Sequence, residues 1–96
     1  MSKKTKAKRP ATENLLYFIK EDNELRSKFI SKIMEFNKLY EKDWAKTKFI
    51  MYAINELERN MPNELQKDTL YWHLAIDGIC QVEYGVIWEY LNSEIN

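Results

Sequence analysis

The ninety-six residues include one cysteine, two glycines and two prolines, and no apolar run long enough to cross a membrane. The lone Cys80 excludes an intrachain disulfide and any multi-cysteine zinc or iron–sulfur framework, and it fits a reducing compartment. So few turn residues exclude an all-β fold, which needs a turn roughly every 8–12 residues. The basic start from Lys3 to Arg9 leads into Pro10 and Ala11, not into an apolar segment with a cleavage site. The expectation is therefore a cytoplasmic protein with neither a secretory signal nor a membrane span.

Catalytic signatures are missing too. There is no glycine-rich phosphate loop, no Gly-x-Ser-x-Gly turn and no His-Glu-x-x-His. Two glycines leave little loop in which to seat an active site, so an enzyme is the least expected class and no cofactor is implied. His73, Asp77, Cys80 and Tyr84 do share one helical edge at spacings of 4, 3 and 4. A nucleophile and its base on one rigid helix would stand one to two turns apart, too far for activation. One His, one Asp and one Cys also make an incomplete metal set. Cys80 reads as a small core residue and His73 as a boundary residue.

What the chain does have is aromatic bulk: three Trp, six Tyr and four Phe, enough to build one core in a single domain. Its zero net charge conceals a gradient. Residues 1–10 carry five bases (Lys3, Lys4, Lys6, Lys8, Arg9) and no acid; residues 11–60 balance nine against nine; residues 61–96 carry one base and six acids. The first ten residues have too little apolar surface to offset the entropy of ordering, and are expected to form a mobile basic arm ahead of a helical domain over 11–96.

Within that domain the apolar spacing predicts an all-α bundle of three to four helices, over about 12–21, 23–42, 44–60 and 63–94, the last longest and central. Thr12 is placed to cap the first, with Leu15, Leu16, Phe18 and Ile19 as its apolar face. Asp22 or Asn23 can cap the second, whose stripe Leu25, Phe29, Ile33, Phe36 and Tyr40 recurs at 4, 4, 3 and 4. Ile50, Ile54, Leu57 and Met61 continue in register, so residues 23–60 read either as one helix or as two with a break or bend near 41–44. Met61-Pro62-Asn63 is a boundary, with Asn63 and Gln66 at capping-box positions for the last helix.

That last helix carries two stripes. Trp72, Ile76, Ile79, Glu83, Val86 and Tyr90 recur at 4, 3, 4, 3 and 4, and so do Leu70, Leu74, Asp77, Gln81, Tyr84 and Trp88 on roughly the opposite side. A helix apolar on two sides is either central in its own fold or shared with a partner. Glu83 interrupts the first stripe and needs a Lys, an Arg or a tyrosine hydroxyl, unless the helix turns there and exposes it. Gly78 and Gly85 share one edge, which suits a closely approaching helix or a local bend.

The expected function is a non-enzymatic protein–protein interaction module: a homodimer, or a small adaptor or inhibitor, for instance an immunity-type protein of a mobile element. Leu70, Leu74, Tyr84 and Trp88 would be its anchors, with Asp77 and Gln81 fixing the register. The alternative is a nucleic-acid accessory protein whose Lys3, Lys4, Lys6, Lys8 and Arg9 contact phosphates in a salt-sensitive way. Against it, the last helix is acidic and would repel a nucleic-acid backbone.

Overall fold

The structure, a computed structural model, describes residues 10–95, and every regular element among them is helical. Five α-helices follow in order: α1 (Pro10–Glu21), α2 (Asn23–Leu39), α3 (Lys42–Arg59), α4 (Leu70–Asp77) and α5 (Tyr84–Ile95), with a short 3₁₀ turn at Ile79–Gln81 between the last two. The all-α class expected from the sequence is what the structure has.

α1 opens at Pro10, a residue type suited to the first turn because the N–H it lacks would go unpaired there. Ala11, Leu15 and Ile19, four apart, form its buried line. Asp22 then caps α2, its carboxylate accepting from the backbone N–H groups of Glu24 at 3.0 Å and Leu25 at 3.2 Å, a contribution of about 1 kcal/mol. Leu25, Phe29 and Ile33 carry the α2 stripe into the core. The chain leaves helical geometry at Tyr40 and Glu41, both extended, and re-enters it at Lys42. Residues 23–60 are thus two helices, broken at the near edge of the expected interval. In α3 the core line is Ala45, Phe49, Ala53 and Leu57, whereas Ile50, Ile54 and Met61 pack at its margin. Small Ala45 and Ala53 let neighbouring helices approach closely, which a search for bulky apolar residues passes over.

The expected helix over 63–94 is corrected. Residues 61–69 form no helix, and only Leu65 among residues 63–67 is apolar, too little to stabilise a short isolated turn. α4 starts at Leu70, with the Thr69 hydroxyl accepting from the Trp72 N–H and not with Asn63 as its cap. It ends after eight residues at Gly78, whose φ of 96° and ψ of 122° suit only glycine. The final helix is therefore not the longest, since α3 has 18 residues and α5 has 12.

α1 packs on α4 and α2, α2 on α3, and α5 on α1, α2 and α3. The C-terminal part of the expected rod is accordingly the central element. Ile87, Trp88 and Leu91 of α5 meet a core in which the Phe29 ring stands edge-on to Phe49 at 5.5 Å and to Tyr52 at 6.1 Å. Each fully buried side chain of this kind contributes about 1.5–3 kcal/mol.

Candidate functional site

The six residues expected to form a binding face are separated by the break at Gly78. Leu74 is fully buried, Trp88 is 1 % exposed, and Leu70 and Tyr84 are also inside the protomer. Two half-rods replace one: α4 turns its Leu70–Leu74 side into the core, and α5 turns in Tyr84 and Trp88, under α2 and α3. The first stripe, from Trp72 to Tyr90, lies at the periphery. Ile76 is 63 % exposed, and Trp72, Ile79, Val86 and Tyr90 are half-buried. Asp77 accepts a hydrogen bond from the side-chain amide of Asn14 at 3.0 Å, and Gln81 lies exposed in the 3₁₀ turn.

Glu83 sits just before α5, half-buried, where the chain turns. Its backbone N–H donates to the fully buried hydroxyl of Thr12 at 2.6 Å. Thr12 thus acts not as the cap of α1 but as a tertiary partner for the start of α5. The two glycines divide the roles left open by the sequence: Gly78 makes the bend, and Gly85 makes room for the Lys46 side chain of α3, whose Cε would stand 3.3 Å from an added Cβ.

The edge of His73, Asp77, Cys80 and Tyr84 is dispersed by the same break. Cys80 is exposed, the Tyr84 hydroxyl donates to the Ile79 carbonyl at 2.8 Å, and His73 stands edge-on to Trp72 at 5.0 Å. Burial pushes the Tyr84 phenol well above its ordinary value. Among the described residues no group of three or more His, Cys, Asp or Glu side chains converges in a way that could hold a metal ion, and no helix is long and apolar enough to cross a membrane. Lys3, Lys4, Lys6, Lys8 and Arg9, the candidate phosphate contacts, lie outside the described residues.

Two features went unread in the sequence. The first is Glu56, a carboxylate 6 % exposed in a cleft of about 530 Å³ that Leu25, Lys28, Asn60 and Tyr71 help to line. Lys28 Nζ donates to it at 2.8 Å, the Asn60 side-chain amide donates to it at 2.8 Å, and Arg59 pairs with its other oxygen. The hydrogen bond from Lys28, reinforced by those from Arg59 and Asn60, holds this carboxyl down at about 2 although burial pushes the other way. Such an acid is a poor proton acceptor near neutral pH, and its oxygens are already engaged, so it ties α2 to the end of α3. Its signal was positional: Glu56 lies seven residues after the core residue Phe49.

The second is an exposed apolar corner where α2 meets α3. Leu39 is 63 % exposed, Trp44 59 % and Met51 55 %, and Tyr40 is exposed as well. Trp44 and Met51 are seven apart and share the outer face of α3. Lys48 holds its ammonium 5.4 Å from the centre of the Tyr40 ring. Beside this corner the outer side of α2 carries a groove of about 590 Å³ lined by Ile30, Ser31, Met34 and Leu39. Compared with known proteins, the chain matches no family model, and neither a curated protein nor a solved structure matches it.

Proposed function

We propose that this chain is a non-enzymatic protein-interaction module that docks its partner at the corner formed by Leu39, Tyr40, Trp44 and Met51. The observation that carries this reading is the exposure of Trp44: a tryptophan more than half exposed, with the equally exposed Leu39 five residues before it and Met51 seven after it, on a chain that buries Trp88 and fills its core with other rings. Clustered exposed aromatic and apolar side chains mark interaction surfaces, and tryptophan is the residue type most enriched among energetic anchors.

The rim defines the partner's chemistry. Residues 38–48 carry four lysines and two acids; Lys46 turns to Glu89 of α5 at 3.8 Å, which leaves Lys38, Lys42 and Lys48 for the rim. The complementary surface is therefore a protein patch with an apolar centre and carboxylates around it. An adaptor or a small inhibitor would both use such a corner.

The test is a photo-crosslinking residue at position 51 in the native host. One specific protein should be captured, capture should fall at least tenfold in Trp44→Ala, and the thermal midpoint of that variant should stay unchanged. Equal capture by the wild type and Trp44→Ala, or no adduct at all, overturns the reading.

A further inference from the structure

The break between α4 and α5 has a feature that an ordinary loop lacks: the helical spacing of one stripe runs straight through it, carried at the break by the polar Asp77 and Gln81. Leu70, Leu74, Asp77, Gln81, Tyr84 and Trp88 keep one helical phase from α4 into α5. Nothing in residues 78–83 forbids a continuous helix, because no proline is present and Gly78 tolerates helical geometry as readily as its observed φ of 96°. As one rod, residues 70–95 would span about 39 Å.

Two of the bonds that hold the bend come from the other end of the chain, and the Tyr84 hydroxyl adds a third by donating to the Ile79 carbonyl. Asn14 of α1 grips Asp77 on one side of the break, and Thr12, two residues earlier, accepts from the Glu83 N–H on the other. α5 meanwhile makes its main contacts with α1, α2 and α3, while α4 packs on α1. α5 is thus a separable unit whose seat is built by elements that precede the break. If residues 78–83 straighten, α5 leaves that seat, and Ile87, Trp88 and Leu91 lose their cover. The surface that fits the vacated seat is another α5.

We propose that residues 78–83 are a hinge through which the chain exchanges α5 with a second copy of itself, forming a dimer in which α4 and α5 become one continuous helix. Exchange of an identical element re-forms the packing of α5 on α1, α2 and α3 and confines the loss to the hinge. There the Thr12–Glu83 and Tyr84–Ile79 hydrogen bonds and the burial of Val82 are given up for helical hydrogen bonds, which makes exchange a low-cost route to a dimer. The partner here is a second copy because the seat is shaped by the same sequence that must fill it. This inference is independent of the docking corner on α2 and α3, so either can fail alone.

Two substitutions push the hinge in opposite directions. Gly78→Ala places a Cβ on a backbone with φ of 96° and 3.2 Å from Gln81 Cγ, while favouring helix; the dimerisation constant should rise at least tenfold by sedimentation. Ile79→Pro suits the start of the 3₁₀ turn, which follows a residue with ψ of 122°, but blocks a straight helix; its dimer should disappear. In the dimer the amides of residues 78–83 should become protected from hydrogen exchange.

The wild type supplies a check that needs no variant to fold. Refolded from urea at millimolar concentration and then diluted, it should yield a slowly dissociating dimer with the same protection. A wild type that stays monomeric under that protocol, or a dimer whose residues 78–83 exchange as fast as in the monomer, overturns the proposal.

Discussion

The hydroxyl of Thr12 accepts a 2.6 Å hydrogen bond from the backbone N–H of Glu83, a residue 71 positions further along the chain. One small side chain in the first turn of α1 therefore satisfies a half-buried backbone donor at the start of α5, and Asn14 adds a side-chain link at the end of α4 by donating its amide to the Asp77 carboxylate. α1 closes the fold by holding both sides of the same break.

Thr12→Val keeps the volume and removes the acceptor. A donor left without a partner near the core costs about 1–3 kcal/mol, so chemical denaturation should show a loss in that range, largely restored by Thr12→Ser. A neutral Thr12→Val would mean that the hydrogen bond has no net value.

Glu56 makes stability depend on acid. Its folded-state pKa is depressed from 4.5 to about 2, chiefly by the hydrogen bond from Lys28. The depression favours the folded state wherever the group is ionised: its contribution is complete above pH 4.5 and disappears as the pH falls through about 2. Because Lys28 is half exposed, solvent screening reduces the contribution to about 1–2 kcal/mol. Urea titrations should show that decline in the wild type and a flatter one in Glu56→Gln, which is itself less stable near neutral pH. Parallel curves for the two proteins would remove Glu56 as the source.

Trp44 and Trp88, on opposite sides of the surface, should behave in opposite ways. Trp88→Ala opens a cavity at the centre of α5 and should cost about 3–5 kcal/mol, enough to unfold much of a small domain. Trp44→Ala removes a side chain that leaves 59 % of its area in water and should change stability by less than about 0.5 kcal/mol. Thermal melts of the two variants decide this, and comparable losses would mean that Trp44 is part of the core.

Local signals were legible in α2, whereas Thr12 and Asn63, equally suited to capping by residue type, cap neither helix expected of them. Asp22 caps α2, and Leu25, Phe29 and Ile33 recur at the helical period on one buried face. The division of residues 70–95 was not legible, because the helical phase continues across residues 78–83 and two of the bonds that stabilise the bend come from Thr12 and Asn14, more than sixty residues away. The docking corner was hidden for a related reason. Trp44 and Trp88 both stand in mixed apolar and polar surroundings, and only the packing of α5 under α2 and α3 sends one inside and leaves the other out. Glu56 escaped notice because its partners Lys28, Arg59 and Asn60 belong to two elements whose pairing is a tertiary fact.

Gly85 offers the last prediction, and it separates the roles of the two glycines. Gly85 is the second residue of α5, where a glycine costs up to about 1 kcal/mol relative to alanine, so what an added Cβ would meet decides the sign of the substitution. The atom nearest an added Cβ is Lys46 Cε at 3.3 Å, followed by Lys46 Nζ at 3.6 Å. Both belong to the far end of a flexible side chain whose partner Glu89 is 3.8 Å away and mostly exposed. Lys46 can swing aside by a few tenths of an ångström and lose little, because such an exposed pair contributes less than about 1 kcal/mol. Gly85→Ala should therefore stabilise the protein by up to about 1 kcal/mol in urea titrations, and more when combined with Lys46→Ala. A destabilised Gly85→Ala that Lys46→Ala does not rescue would show that α3 and α5 are too close for a methyl group, with the helices themselves setting the limit.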